Sequence, residues 1–190
     1  MEFAFIISIV LLILFALLGL YDGFYLHIFK YRLYENPASR KEHLTHTIRG
    51  ALFPGILYFL YLRQDCAACF YIGMAFVLAD IITLVFDAYL EKDSRDFMGG
   101  LPRWEYIIHL FVNGFHFASI AVLLIIKLNV TEHSIELRSD FSSVGNYPAF
   151  VWLVKNLIPG GILMSLLHLM VLFPSTAHYW NRFRSKIICC

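Results

Sequence analysis

The chain has 190 residues, of which 59% are hydrophobic and 15% are charged, and its mean hydropathy is +0.68. An average soluble domain carries about 25% charged residues, and a soluble domain of this size cannot bury so much apolar surface. The composition excludes a disordered chain, four cysteines are too few for a disulfide scaffold, and the net charge of +1 excludes a nucleic-acid binder. We therefore expect an all-α, polytopic membrane helical bundle that forms a single transmembrane domain over residues 1–190.

Apolar stretches of about 18 or more residues predict membrane-spanning helices. Four such stretches cover residues 3–26, 69–90, 104–128 and 150–173. A fifth apolar run, 51–62, reaches spanning length only when it is extended back to Glu42, so the fifth span is predicted at 42–62. Ser39 should then be the N-cap of this helix, with Glu42 as its capping-box partner.

The distribution of Lys and Arg predicts the orientation of the five spans, because cytoplasmic connections carry the excess of positive charge. Ten of these residues fall in the first and third connections and the C-terminal tail, and two fall in the second and fourth connections. The N-terminus is therefore predicted outside and the C-terminus in the cytoplasm, with an outer loop at 129–148 and a cytoplasmic tail at 174–190. A bacterial inner membrane and an endoplasmic reticulum membrane both fit.

The four cysteines form two pairs, one at the predicted outer end of the third span and one in the predicted cytoplasmic tail. Cys66 and Cys69 form a CxxC at the predicted outer start of the third span, and the sequence leaves open whether they form a disulfide. Cys189 and Cys190 follow basic residues of the tail, a context that suits palmitoylation in a eukaryotic cell.

Ionisable residues within the predicted spans fall in the cytoplasmic half of the bilayer, with Lys155 as the exception. On an α-helix, Asp80 and Asp87 differ by about 20° in azimuth, and Glu105 and His109 by about 40°. Asp22 and His27 differ by about 140°, so only Asp22 is expected to face the interior, and His27 is interpreted as a core histidine. The candidate metal ligands are His46, Asp80, Asp87, Glu105, His109, His116 and His168, with Asp22, Glu42 and His43 as weaker candidates.

Charges at these positions need compensation, since one charged side chain at the bilayer centre costs about 2.5–3.5 kcal/mol on insertion scales. Arg49 could pair with Asp80 or Asp87 in a network completed by His and Asn, or a cation could lie among these groups. Mixed His and carboxylate ligands suit iron, zinc or manganese. Arg49 would then contact the ligand side chains without touching the metal, or it would bind an anionic head group. Bis-His haem is the alternative cofactor, although the carboxylates favour a divalent metal.

The leading hypothesis is an integral membrane metalloprotein with a His/carboxylate site, dinuclear in its preferred form, in the cytoplasmic half of the bundle. Iron is favoured over zinc, and the reaction would be that of an oxygenase, desaturase or hydroxylase acting on a lipid-like substrate. Zinc would instead make the protein a hydrolase. The alternatives are a small proton or metal-ion transporter and a bis-His haem electron carrier. The sequence does not indicate an oligomeric state.

Overall fold

The computed structural model describes residues 1–188. Cys189 and Cys190, the predicted palmitoylation sites, lie outside the described residues. The helical segments, in chain order, are α1 (Glu2–Gly19), a first π-helix (Leu20–Lys30), α2 (Arg40–Ile56), a second π-helix (Leu57–Leu62), α3 (Ala67–Ser94), a 3₁₀ turn (Asp96–Met98), α4 (Arg103–Lys127), α5 (Tyr147–Leu172) and α6 (Pro174–Ile188).

Four of these segments are long and apolar enough to cross a membrane, namely Glu2–Lys30, Ala67–Met98, Arg103–Lys127 and Tyr147–Leu172. The prediction of a mostly helical membrane protein is thereby confirmed. The segment predicted as a further span, 42–62, is helical throughout but is more polar than these four. The number of spans and their orientation remain predictions.

The polar helix α2 turns its polar face toward the other helices. It packs against α3 and α5, while α1 packs along α4. Side chains such as Thr45, Thr47 and Pro54 are buried between the helices, whereas Leu44 and Ile48 are exposed. Helix α2 can carry polar residues because they face these helices, and its exposed face between residues 44 and 51 is apolar.

An apolar core fills the half of the bundle that is predicted to face outward. Phe5 and Leu12 of α1, Leu60 of the second π-helix and Phe150 of α5 are all essentially inaccessible. The ring of Phe5 contacts the ring of Phe150 at a centroid distance of 5.0 Å. This core separates the outer face from the polar residues described below.

The connections include three features that the prediction of an all-α bundle does not contain. Strands β1 (Leu128–Val130) and β2 (Ile135–Leu137) pair as a short antiparallel hairpin within the predicted outer loop. Cys66, at the N-cap of α3, and Cys69, in its first turn, form a disulfide, which answers the question that the sequence leaves open. The predicted tail is helix α6, whose Trp180 is buried against Ile28.

The predicted capping box at the start of α2 is wrong. Ser39 does occupy the N-cap position, but its hydroxyl donates to the carbonyl oxygen of Ser94 at 2.6 Å instead of capping the helix. The carboxylate of Glu42 accepts a hydrogen bond from Arg95. Both side chains therefore join α2 to the end of α3, because burial makes these tertiary partners available.

Gly73 tests the close packing of α3 against the second π-helix. A Cβ atom at position 73 would lie 2.7 Å from Cβ of Leu60 and 3.0 Å from its backbone nitrogen. We expect Gly73→Ala to destabilise the protein by about 1–3 kcal/mol, as overpacking does in other cores. Thermal unfolding of the purified protein in detergent measures this loss.

Gly114→Ala is the matched control, because a Cβ atom there meets no atom of residues 1–188 within 4 Å. Gly114 lies in the middle of α4, so alanine should leave the midpoint unchanged or raise it slightly through its better helix propensity. Equal effects of the two substitutions would contradict this packing.

Candidate metal centre

Fourteen ionisable side chains from α1–α5 and their connections meet at one end of the bundle. We call them the polar cluster, and its members are Asp22, His27, Glu42, His43, His46, Arg49, Asp80, Asp87, Glu91, Arg95, Glu105, His109, His116 and His168. Every candidate residue from the sequence belongs to it. The structure adds His27, Glu91 and Arg95.

Arg95 lies at the centre of one half of the polar cluster and is fully buried. Its guanidinium donates to Glu42 at 2.6 Å and to Glu105 at 2.6 Å, and a third contact of 3.2 Å joins it to Nε2 of His27. Because a guanidinium has no acceptor, His27 accepts in this contact. Arg95 thus fixes side chains from three other helical segments. From the sequence it is only one of the charges of the third connection, and its burial is not predicted.

The first π-helix brings Asp22 and His27 to the same face, where Asp22 Oδ1 lies 3.4 Å from His27 Nε2. The prediction that these residues face different directions is wrong. It assumed α-helical geometry, whereas the i to i+5 hydrogen bonds of a π-helix place residues five apart nearly one above the other. His27 is therefore part of the polar cluster, not a separate core histidine.

His109 lies between two carboxylates. Its Nε2 is 3.0 Å from Asp22 Oδ1, and its Nδ1 is in contact with Glu91. A neutral imidazole has one N–H, so it can donate to only one of these carboxylates. The second nitrogen therefore requires an additional proton or a cation beside it.

The other half of the polar cluster continues from α2 to α3 and α4. His46 Nε2 lies 3.6 Å from Glu42 Oε1 and 3.4 Å from Asp87 Oδ1. The hydroxyl of Thr45 also donates to Asp87. These contacts join His46 to carboxylates on its own helix and on α3.

Arg49 has several protein partners at the next level of the bundle. Its Nε donates to Asp80 at 3.0 Å, its Nη2 donates to Asn113 at 2.8 Å, and its Nη1 lies 3.8 Å from Asp87. Nε2 of His116 lies 3.2 Å from the other oxygen of Asp80. The ion pair between Arg49 and Asp80, which the sequence predicts as one way to offset the charges in the spans, is present.

His43 and His168 form a pair beside these contacts. Their rings stack at a centroid distance of 4.9 Å, and Nε2 of His43 donates to the backbone oxygen of His168 at 3.1 Å. Both side chains are buried. The structure thus places these two candidates against each other, and neither belongs to the donor groups described next.

Two sets of side chains have donor atoms close enough together to hold an ion. Group A consists of Asp22, His27, Glu105 and His109, and group B consists of His27, Glu42 and His46. Within each group the donor atoms lie within 4.8 Å of one another. An ion about 2.1 Å from each ligand holds donors no more than about 4.2 Å apart, so the donors of either group would move closer together around an ion.

Buried atoms without hydrogen bonds lie in both groups. Oε2 of Glu105 and Nδ1 of His27 find no hydrogen-bond partner within the described part of the chain. Oε1 of Glu42 and Nε2 of His46 also make no hydrogen bond there, but they lie 3.6 Å apart as an ion pair. Arg95 uses one oxygen of each glutamate and leaves the other oxygen for a different partner. Burying such atoms without a partner is costly, and a cation would satisfy the oxygens and any deprotonated nitrogen. The donor set fits a divalent metal.

A cavity of about 340 Å³ opens onto the polar cluster. Its polar wall includes His46, Asp87 and His109, and its apolar wall includes Phe15 and Met164. The cavity has the size and the mixed lining of a small-molecule site.

The three additional members of the polar cluster differ in how far the sequence could indicate them. Glu91 lies four and eleven residues after Asp87 and Asp80, a spacing that keeps one helical face. His27 could be found only by considering a π-helix. Arg95 follows α3 directly and resembles any other loop charge, so no sequence signal distinguishes it.

Replacing Arg95 should be strongly destabilising. Arg95→Met leaves Glu42 and Glu105 buried without their cation, which in other proteins costs about 3–5 kcal/mol. We expect a large drop in the midpoint of thermal unfolding in detergent. Arg103→Met, which removes an exposed arginine at the start of α4, should leave the midpoint nearly unchanged. Similar losses in both variants would contradict the central position of Arg95.

The chain matches no protein-family model, no curated protein and no solved structure at a significant level. Its function must therefore be argued from the polar cluster and the cavity.

Proposed function

We propose that the protein is an integral membrane metalloenzyme that binds two divalent metal ions in groups A and B and oxidises a lipid-like substrate. Iron is the metal that we favour. The observation that carries the proposal is the charge of the polar cluster together with the unpaired donor atoms within it.

The polar cluster contains six carboxylates and two guanidinium groups, so four negative charges remain if its six histidines are neutral. Isolated buried charges are strongly unfavourable, and proteins pair them or coordinate metals with them. Two divalent cations would neutralise this excess. Protonation of four histidines would do the same, but it would bring several imidazolium ions within a few ångströms of Arg95.

The arrangement of donors also supports metal binding. Group A combines two imidazoles and two carboxylates from the first π-helix and α4, and group B adds donors from α2. Arg95 contacts both glutamates and would fix their orientation, as outer-shell partners of ligands do in metal sites. Mixed nitrogen and oxygen donors suit iron, zinc and manganese.

Oxidation of a lipid-like molecule is supported by the cavity beside these groups. Its apolar wall would hold a hydrocarbon, and its polar wall contains His109 of group A and His46 of group B. Bound iron would supply the oxygen-dependent chemistry, and bound zinc would supply an activated water for hydrolysis. The residues of this chain would bind the substrate beside the metal and limit access of water.

The transporter and haem alternatives have less support. A path for ions would need polar groups through the outer half of the bundle, where the apolar core of Leu12, Leu60 and Phe150 lies. A haem would need two histidines on opposite sides of the porphyrin plane. The rings of His27 and His46, at a centroid distance of 4.1 Å, leave no room for it.

Metal content tests the proposal. Inductively coupled plasma mass spectrometry of the purified protein should find about two iron ions per chain, as in dinuclear carboxylate sites. His109→Ala removes a ligand from group A and His46→Ala removes one from group B, so each should lower the content to about one ion. His27 is a member of both groups, but one neutral imidazole can ligate only one of the two ions, so His27→Ala should also lower the content to about one ion.

His133→Ala is the matched control, because His133 is exposed between the two strands of the hairpin. It should keep the wild-type metal content. A folded wild-type protein without metal, or three cluster variants that all keep the full content, would refute the proposal.

A further inference from the structure

The two helices that border the cavity on its lipid-facing side are α1 and α5. They contact each other much less extensively than α1 contacts α4 or α5 contacts α2. Helices α3 and α4 also line the cavity and contact each other even less, but the polar pairs Asp80–His116 and Glu91–His109 join them. Gly19 of α1 and Gly160 of α5 both line the cavity. A Cβ atom at either position would meet no atom of residues 1–188 within 4 Å. The cavity is therefore open, without a side-chain barrier, between these two glycines.

A second hollow lies outside this gap. It has a volume of about 280 Å³, and its lining is apolar, with Leu20 and Phe24 on one side and Leu163 and Leu167 on the other. It shares Gly160 and Met164 with the cavity. Leu20 and Phe24 flank Asp22 in sequence, so the outer hollow lies at the depth of the polar cluster.

The lining becomes more polar from the outer hollow toward the inner end of the cavity. The outer hollow is lined by leucine, phenylalanine, methionine and glycine, whereas the inner end of the cavity contains Arg49, Asn113 and His116. A bound molecule should place its polar end where polar partners are present and leave its apolar part where there are none. Leu163 is largely exposed on the surface that lipid tails would contact.

We infer that the gap between Gly19 and Gly160 is a lateral entrance for a single-chain amphiphile, such as a long-chain acid, alcohol or aldehyde. Its polar end lies beside the polar cluster, and its hydrocarbon chain passes through the gap into the outer hollow and the bilayer. The inference rests on the proposed function and refines it, because the reaction then takes place at or near the polar end of the substrate and not in the middle of its chain.

Photolabelling tests both the route and the orientation. The probes are two palmitic acid analogues that carry a diazirine, one near the carboxyl group and one at the end of the chain. They are added to the full-length protein in phosphatidylcholine nanodiscs, and the labelled residues are identified by mass spectrometry. The carboxyl-proximal probe should label α4 around Val112, which lines the cavity. The chain-terminal probe should label α5 around Leu163 and Leu167.

Gly160→Leu fills the entrance without a backbone clash, and we expect it to reduce the labelling of α4 by about tenfold. Gly19→Leu repeats this test from the facing helix. Gly114→Leu is the matched control, because Gly114 is also an exposed glycine in the middle of a spanning helix with open space around it, but does not line the cavity. It should label like the wild type.

Three results would overturn the inference. The two probes could label the opposite positions, or filling the entrance could leave the labelling of α4 unchanged. The third result is labelling that does not decrease when excess palmitic acid is added as a competitor. A phosphatidylcholine probe that gives the same map would assign the site to bilayer phospholipid and overturn the single-chain assignment. Metal content is measured on the same samples. Labelling through the entrance without metal would refute the metalloenzyme alone, and metal without localised labelling would refute the entrance alone.

Discussion

The burial of six carboxylates in a low-dielectric setting is the constraint on which the rest of this structure depends. Six carboxylates lie within one part of a helical bundle that is otherwise apolar, and two arginines cannot neutralise them. Arg95 neutralises part of the excess while contacting Glu42 and Glu105 at once. Because it is fully buried, it also fixes the end of α3 against α2 and α4.

The π-helical winding of Leu20–Lys30 follows from the same constraint. An α-helical continuation of α1 would turn either Asp22 or His27 toward lipid, where a charged or polar group is unfavourable. The first π-helix avoids this by bringing both inward. Segments of π-helix are uncommon and often mark functional sites. Helix α2 is polar for a related reason, since it supplies Glu42, His46 and Arg49 from inside the bundle.

Much of this arrangement can be predicted from the length of the apolar runs and from the helical repeat of 3.6 residues. Apolar runs locate the ends of the four apolar spans to within four residues, except that the helical segment predicted to end at 90 continues to Met98. The seven-residue spacing of Asp80 and Asp87 places them on one inward face. The convergence of His46, His109 and His116 follows from depth along the helices. All of these predictions require only that the helices be α-helical and nearly straight.

Where that condition fails, prediction from sequence fails as well. His27 was misplaced because the chain is wound as a π-helix at that point. Arg95 lies in the predicted third connection, but a residue between two helices has no helical face from which its burial could be inferred. Ser39 was misassigned because a tertiary acceptor, the carbonyl of Ser94, replaced the local one. The positions of Arg95 and Ser39 depend on contacts between segments that are distant in sequence, whereas that of His27 depends on the local winding of the chain.

The polar cluster lies in one half of the bundle, and this position favours a protein that retains an ion over one that transports it. A transported ion would have to leave the polar cluster through the core around Leu60 and Phe150, where aromatic and aliphatic side chains are packed without access to solvent. Moving a charge through such a region is opposed by the full cost of its desolvation. The open side of the cavity is instead lateral, between two glycines and toward the bilayer. An ion held by the polar cluster would therefore remain in place while an apolar molecule reached it from the membrane, which is the arrangement that a lipid-directed metalloenzyme requires.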